Sequence, residues 1–151
     1  MKNIEYKRLK DDQVSSLKDL WLKLNAYHVP IVPTFKERFC NVSFEDHFHS
    51  LLKSDLLFAY TANKDNQIIG FILVFANDGT AEIDSIFIDE AYRHQGIGTK
   101  LMKYALIEVK GIYKEIIMKV AEGNIQRFHY DNHFKKRYIL FQYDDADAEL
   151  N

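Results

Sequence analysis

Three apolar segments follow one another between residues 56 and 88, and only short polar turns separate them. They span residues 56–62, 67–75 and 81–88. The turn Asn77-Asp78-Gly79 is typical of a β-hairpin, because its residues tolerate positive φ. Consecutive strands joined by short turns pair antiparallel, so the sequence predicts an antiparallel meander.

A helix and a further strand follow the meander. Ile97, Leu101 and Ala105 recur every four residues, which predicts a helix over residues 98–110 with Gly111 as its C-cap. Residues 115–120 are apolar and predict the next strand. Because a helix joins them, strands 81–88 and 115–120 should be parallel.

The flanking regions complete an α/β order of β-α-α-β-β-β-α-β-α-β. Before the meander we expect a strand at residues 3–9, a helix at 12–28 and a helix capped by Ser43. After residue 120 we expect a helix of about ten residues opening at Gly123-Asn124, and a last strand. The predicted fold is one mixed sheet with helices on both faces, in a single domain of residues 1–143. Residues 136–143 form the predicted last strand, and residues 144–151, with four acids, form a frayed tail.

Charge and cysteine content exclude several classes of protein. The chain has 151 residues, and 20 Lys+Arg against 22 Asp+Glu give a net charge of −2. This balance argues against a nucleic-acid partner, since such proteins carry a basic excess. Cys40 is the single cysteine, so there is no internal disulfide framework, and no spacing typical of a metal site occurs.

The apolar runs are too short for a membrane span. The longest uncharged apolar run, Ile68 to Ala76, has nine residues, whereas a membrane helix needs about 20. The first residues also lack the apolar stretch of a signal peptide. We therefore expect a cytoplasmic protein with no membrane partner.

The segment from residue 86 to residue 101 carries the clearest chemistry. A strand ends, a loop with Gly96 and Gly98 follows, and a helix starts directly on these glycines. Free N–H groups and the positive end of the helix dipole favour an anion there, most simply a phosphate or pyrophosphate. Residues 91–119 agree, with six Lys/Arg against two acids. The alternative is a purely structural loop beside a solvated basic face.

Two other phosphate-binding motifs do not fit this loop. A dinucleotide fingerprint requires a third glycine where this chain has Leu101. A Walker loop requires Gly-Lys-Ser/Thr, and Gly98-Thr99-Lys100 does not match it.

The hexamer Arg93-His94-Gln95-Gly96-Ile97-Gly98 resembles the R/Q-x-x-G-x-G/A motif of the GNAT superfamily of N-acetyltransferases. The order of elements over residues 3–143 is similar to that fold. Asn124 is similar to an asparagine that the family has after this strand, and residues 128–134 resemble its FYxxxGF stretch.

The resemblance implies that acetyl-CoA binds as cosubstrate, without a metal. The pyrophosphate would lie on the N–H groups of residues 93–99, and the pantetheine arm would pair with the end of strand 81–88, between it and strand 115–120. The implied cofactor-binding residues are Phe87, Ile88, Arg93, His94, Gln95, Gly96, Ile97, Gly98, Thr99, Lys100, Asn124 and Phe128.

The implied reaction is direct attack of a primary amine on the thioester in a ternary complex. Glu82 and Asp84 lie two apart and project from one face of their strand, so one of them is the candidate general base. Asp84 best matches the acidic position often seen in the family. Both are alternatively ordinary charges on a solvated strand face. A backbone N–H near Ile88 would polarise the carbonyl.

The candidate general acid departs from the family pattern. His129 stands where many members have a tyrosine, and a histidine near the sulfur could donate a proton. Tyr130 is the second candidate, although it points about 100° away on a helix. Either residue is alternatively a surface or packing residue. His133 replaces a glycine common in the family, which weakens a strict transfer of roles.

The acceptor site is predicted in the N-terminal helices, where Tyr27 and His28 adjoin a loop with two prolines. The acceptor is an amine of a small molecule or a peptide, and the sequence leaves monomer and homodimer open. One alternative is a catalytically silent acyl-CoA-binding sensor or interaction module, because residue 129 is not tyrosine. Another is a nucleotide- or phosphate-binding domain outside the family.

Overall fold

The computed structural model describes residues 3–28, 42–120, 126–139 and 141. The strands are β1 (Glu5–Leu9), β2 (Leu56–Lys64), β3 (Gln67–Asn77), β4 (Thr80–Ile88) and β5 (Glu115–Met118). The α-helices are α1 (Lys18–His28), α2 (Phe44–Leu51), α3 (Ile97–Val109) and α4 (Arg127–Asp131). Two 3-10 helices, Asp11–Leu17 and Glu90–Tyr92, precede α1 and α3.

The strands form one sheet in the order β1-β2-β3-β4-β5. The first four pair antiparallel with their neighbours, and β4 pairs parallel with β5. This confirms the predicted meander and the parallel pair joined by a helix. Asp78 and Gly79 form the two-residue turn between β3 and β4, with φ of 50° and 81°. Such positive φ values match the hairpin that the Asn-Asp-Gly sequence predicts.

Helix α3 covers one face of the sheet. It buries one apolar stripe against β2, β3 and β4. The spacing of this stripe is the one expected of an amphipathic helix, and the helix ends before Gly111, whose φ is 82°. The stripe consists of Ile97, Leu101, Met102, Ala105 and Val109.

Helices α1 and α2 and the first 3-10 helix cover the opposite face. Their apolar side chains pack with Phe71, Leu73 and Phe87 of the sheet. Ser43 caps α2 as the sequence predicts, because its Oγ accepts a hydrogen bond from the Asp46 N–H at 3.0 Å. The buried residues of this layer are Val14, Leu17, Leu20, Trp21, Leu24, Phe44 and Leu51.

Strand β4 contains one extra residue relative to β3. Leu73 lies opposite Ser85 and Val74 lies opposite Ile83, which leaves Asp84 without a partner in the register. Asp84 is therefore the extra residue of a β-bulge, which bends the strand and redirects side chains.

Two sequence predictions need correction. The predicted helix over 12–28 is a 3-10 helix up to Leu17 and becomes α-helical at Lys18. Ser16 donates from its Oγ to the Gln13 carbonyl at 2.8 Å, and such local bonds compete with the α-helical pattern. The strand predicted over residues 136–143 is also not formed by the residues of that segment that the structure describes. Residues 136–139 and 141 have no regular structure, and Tyr138 and Phe141 are 87% and 90% exposed.

Three further predicted features lie outside the described residues or on their edge. Asn124 and the acidic tail 144–151 are not among the described residues. The predicted last helix is described only as the short α4.

The burial of α3 generates a stability prediction. Leu101 is fully buried, whereas Ile107, on the same helix, is 65% exposed. We expect Leu101→Ala to lower the free energy of unfolding by about 2–5 kcal/mol, because it leaves a cavity in the core. Ile107→Ala is the matched control and should cost much less. Urea unfolding of both variants checks this, and equal losses would contradict the packing described here.

Candidate active site

The edge of β4 that faces β5 is open over its second half. The parallel pairing ends at Ile83 opposite Met118, and residues 119 and 120 continue without strand structure. Beyond that point β4 keeps β3 as its neighbour, while no strand of the described ranges pairs with its other edge. The backbone donors and acceptors of residues 84–88 that point to this edge can pair with an extended ligand, apart from the Ile88 carbonyl, which accepts from Arg93, since a strand edge is a template for pairing.

The loop after β4 leads to the exposed N-terminus of α3. His94 and Gly96 have φ of 63° and 81°, so the chain turns twice through the left-handed region. Lys100 N donates to the Gly96 carbonyl at 3.1 Å and closes the first helical turn. The N–H groups of residues 97–99 come before this bond and have no partner within the helix. They form the donor set that the sequence predicts for an anion.

Most predicted pyrophosphate contacts are open to solvent. Ile97 is buried under the helix, and Arg93 and Gly98 are half-buried. A Cβ added at Gly96 would meet no atom within 4 Å, so the space in front of this residue is open. The exposed members of the predicted set are His94, Gln95, Gly96, Thr99 and Lys100.

Arg93 fastens the loop to the rest of the site. Its Nε donates to the Ile88 carbonyl at 2.8 Å. Its guanidinium carbon lies 5.0 Å from the ring centres of both Phe87 and Tyr27. Arg93 thus bridges β4 and α1 through cation–π contacts.

A second contact joins α1 to the same loop. Lys23 Nζ lies 3.1 Å from Asp89 Oδ2. Tyr27, predicted for the acceptor site, therefore belongs to a helix held against the cofactor loop. His28 is the last residue of α1, and its side chain lies outside the described residues.

Phe128 of α4 reaches the start of α3. A Cβ added at Gly98 would lie 3.4 Å from Phe128 Cε2 and 3.8 Å from Ile88 Cγ1. The structure thus brings together Ile88, Gly98 and Phe128, which the sequence places in the cofactor site from three separate segments. Phe128 therefore packs at van der Waals distance against the first turn of α3.

Glu82 and Asp84 both face the layer of α1 and α2. Glu82 lies opposite Phe75, which packs in that layer, and Asp84 contacts His47 of α2. Lys119 Nζ lies 3.6 Å from Glu82 Oε1, on the exit from β5. Burial raises the pKa of Glu82, and the charge of Asp84 raises it further, while Lys119 opposes the shift.

Asp84 has a partner that the sequence did not single out as a site residue. His47 Nε2 donates to Asp84 Oδ1 and Oδ2, each at 3.0 Å, and Ser85 Oγ donates to Oδ2 at 3.1 Å. The His47 ring stacks on Trp21 with 5.5 Å between ring centres. The hydrogen bond that His47 donates to Asp84 raises the pKa of His47, although burial opposes this.

The candidate acids lie on α4. His129 is half-buried, and its Nδ1 accepts a hydrogen bond from the Gln126 N–H at 3.1 Å. This bond caps the first turn of α4, and Nδ1 also lies 3.2 Å from the Gln126 carbonyl oxygen. Tyr130 is 52% exposed.

His47 and Lys119 are the site residues that sequence reasoning missed. His47 is one of six histidines in the chain, and no local sequence pattern links it to Asp84. The contact joins residues 37 positions apart, so no local pattern could reveal it.

Within residues 3–28, 42–120, 126–139 and 141, no group of three or more His, Cys, Asp or Glu side chains is placed to hold a metal ion. None of the helices described there has the length and apolar character needed to cross a bilayer.

Comparison with protein-family models matches residues 22–130 to the acetyltransferase (GNAT) family. The chain belongs to this family, as the hexamer at residues 93–98 indicated. No curated protein sequence matches the chain.

Solved structures share the fold at low sequence identity. A putative acetyl transferase from Pyrococcus furiosus superposes with a TM-score of 0.72 at 21% identity, over 93% of this chain and 99% of the other. A GNAT-family protein from Streptococcus pneumoniae gives 0.66 at 18% identity, over 95% and 99%. The aminoglycoside N-acetyltransferase AAC(6')-Iy in complex with CoA gives 0.66 at 14% identity, over 96% of both chains. These likenesses confirm the mixed α/β fold.

The pairing of His47 with Asp84 generates a pH prediction. The pKa of folded His47 lies above the unfolded value of about 6.5. The stabilisation is therefore fully present below about pH 6.5 and is lost as the pH rises through the raised pKa. We expect His47→Gln to lower the free energy of unfolding by about 1.5–3 kcal/mol near pH 6, and by less near pH 9.

His49→Gln is the matched control for this measurement, because His49 is exposed on the same helix. Urea unfolding of both variants and the wild type at the two pH values gives the comparison. A loss in His47→Gln that does not depend on pH would contradict the charged pair.

Proposed function

We propose that this chain is an acetyl-CoA-dependent N-acetyltransferase that acts on a primary amine. The observation that carries the proposal is the open edge of β4, which runs directly into the exposed N-terminus of α3. An extended arm with a pyrophosphate at one end fits this combination, because the strand edge pairs with the arm and the helix N-terminus binds the anion.

The residues around this path are suited to CoA. The N–H groups of residues 96–99 would hold the pyrophosphate, and Lys100 adds positive charge on the first turn. Residues 84–88 would pair with the arm, and Phe128 and Ile88 would flank it at the start of α3. Asn124 remains a proposed contact from the family resemblance.

When bound, acetyl-CoA supplies an activated acyl group as a thioester. The chain then has to orient the amine, take up its proton and polarise the carbonyl. Glu82 and Asp84 place carboxylates on the face of β4 that α1 and α2 cover, and a backbone N–H of β4 is the proposed donor to the carbonyl oxygen. His129 or Tyr130 is the proposed source of a proton for the departing sulfur.

The acceptor would come from the side of α1 and α2. The carboxylates of Glu82 and Asp84 on that side favour a cationic amine over an anionic substrate. Among structures with this fold, one aminoglycoside acetyltransferase was determined with sisomicin, at 17% identity and a TM-score of 0.60, over 93% of this chain and 95% of the other. We propose an amine on a small molecule or peptide as the acceptor class, with Tyr27 and His28 beside it.

The cofactor site is tested by a tryptophan at Gly96. Its side chain would fill the open space before α3 and displace the backbone donors. We expect Gly96→Trp to weaken acetyl-CoA binding at least about tenfold, which corresponds to 1.4 kcal/mol or more. Isothermal calorimetry with acetyl-CoA measures this.

Gly79→Trp is the matched control for Gly96→Trp. Gly79 has the same φ of 81°, and a Cβ there also meets no atom within 4 Å, but it lies in the turn between β3 and β4. Both variants carry the same backbone strain, so Gly79→Trp should keep the wild-type affinity. Equal affinities in the two variants would show that the cofactor lies elsewhere.

Turnover is tested by CoA release with a panel of amines: spermidine, glucosamine, sisomicin and a lysine-containing peptide. We expect at least one to release CoA in the wild type and none to do so in Gly96→Trp. Acetyl-CoA binding with no turnover across the panel would favour the silent acyl-CoA-binding module instead. Preferential binding of ATP over acetyl-CoA would favour a nucleotide-binding domain.

A further inference from the structure

His47 is held in one orientation by three separate elements. Its own helix, α2, is capped by Ser43, and its ring stacks on Trp21 of α1, which is 6% exposed. Its Nε2 donates to both oxygens of Asp84 on β4. Packing and hydrogen bonding therefore fix the plane of the imidazole, which is the condition for a precise proton-transfer geometry.

The contacts of Asp84 make it a poor direct proton acceptor. Both of its oxygens accept from His47, and Ser85 Oγ also donates to Oδ2 at 3.1 Å. Its side chain is only 12% exposed. An amine that approached this carboxylate would have to displace a bond that is already formed.

The imidazole keeps a free site for a proton. Because Nε2 carries the hydrogen that Asp84 accepts, the neutral ring has its lone pair on Nδ1. The His47 side chain is 28% exposed, so the ring is partly open to solvent. A carboxylate that fixes the tautomer on one ring nitrogen, so that the other acts as base, is the arrangement of a Ser-His-Asp triad.

The His47–Asp84 pair lies at the end of the open strand edge that is nearest to the paired part of β4 and farthest from α3. Asp84 directly follows Ile83, the last residue of β4 that pairs with β5. From residue 88 to residue 84 the strand extends about 13 Å away from the helix N-terminus. An arm anchored at α3 and laid along this edge places its acyl end near Asp84 and His47.

We propose that His47 is the catalytic proton acceptor for the amine, and that Asp84 is a positioning residue that fixes the His47 tautomer. This rests on the proposed acetyl transfer. As the amine nitrogen bonds to the acyl carbon, its proton passes to His47 Nδ1. The carbon–sulfur bond breaks, CoA leaves with the bonding electron pair, and its thiolate takes up a proton from the proposed acid, His129 or Tyr130, which regains one from solvent. His47 returns its own proton to solvent.

The charged groups around His47 determine the pH range in which it can act as a base. Asp84 from β4 is the charged group that acts on His47, with Glu82 farther along the same strand face. From α1, Lys18 pairs with Glu45 and Lys23 pairs with Asp89, and from α2 itself Glu45, Asp46 and His49 are exposed. Asp84 raises the pKa of His47, so the neutral form that accepts a proton dominates only at pH values above this raised pKa.

The test is the pH profile of kcat/KM for the best amine of the panel. In the wild type, kcat/KM should rise as the pH passes the raised pKa of His47. This rise should lie at lower pH than the range in which most amines lose their proton. His47→Gln should lower kcat/KM by about 10²–10⁴-fold and remove this lower limb. Its dissociation constant for acetyl-CoA should change little, because the proposed contacts of the arm and the pyrophosphate are made by β4 and the start of α3 and not by His47.

Asp84→Asn provides the readout for the positioning role. It should lower kcat/KM and move the lower limb toward more acidic pH, because the Asp84 carboxylate that raises the pKa of His47 is lost. His49→Gln, an exposed histidine on the same helix, should keep the wild-type profile. Circular dichroism and the acetyl-CoA dissociation constant confirm that each variant is folded.

The outcomes separate this proposal from the proposed function. If the wild type acetylates an amine and His47→Gln keeps the same lower limb, the role of His47 is overturned and the proposed function stands. If His47→Gln does not fold, an unmoved limb in Asp84→Asn overturns it instead. No turnover by the wild type on any amine would overturn the proposed function together with this inference.

Discussion

The extra residue at Asp84 is the constraint on which the rest of the site depends. Strict alternation along β4 would put Glu82, Asp84, Ile86 and Ile88 on one face, mixing two charges with two apolar side chains. The bulge resolves this conflict. Before it, Ala81 and Ile83 pack on the α3 side; after it, Ile86 and Ile88 do so. The carboxylates and Phe87 are left on the side of α1 and α2.

The same bulge coincides with the end of the parallel pairing. β5 stops at Met118, opposite Ile83, so the sheet opens where the bulge begins. The unpaired strand edge and the Asp84 carboxylate therefore lie next to each other. The proposed acetyl transfer uses both, because the arm of acetyl-CoA would pair with the strand edge and the amine would give its proton to an acceptor next to it.

The N-terminal helices couple the two halves of this site. Arg93 lies between Tyr27 and Phe87, Lys23 pairs with Asp89, and His47 binds Asp84. Helices α1 and α2 therefore contact both the cofactor loop and the carboxylate at the bulge. A rigid connection of this kind keeps the acceptor side aligned with the strand edge, which is how positioning contributes to rate.

Local patterns in the sequence account for most of the fold. The meander, the Asp78-Gly79 turn, the Ser43 cap and the apolar stripe of α3 each follow from neighbouring residues. The glycine loop before α3 was predicted in the same way. The bulge was not predicted, because it is defined by the pairing of β4 with β3 rather than by β4 itself.

Long-range contacts account for what the sequence missed. The bond between His47 and Asp84 depends on how α2 packs against the sheet. The sequence also predicts a strand over residues 136–143. Its described residues have no strand partner within the part of the chain that the structure describes, and a strand needs such a partner from elsewhere in the chain.

Amide hydrogen exchange with and without acetyl-CoA tests the central claim most directly, because it reports each backbone donor separately. The account predicts slower exchange at residues 84–88, along the open edge of β4, and at residues 96–99, at the start of α3. Residues 57–61 of β2, far from this edge in the strand order, should not change. Protection elsewhere, or none at saturating acetyl-CoA, would contradict the placement of the site.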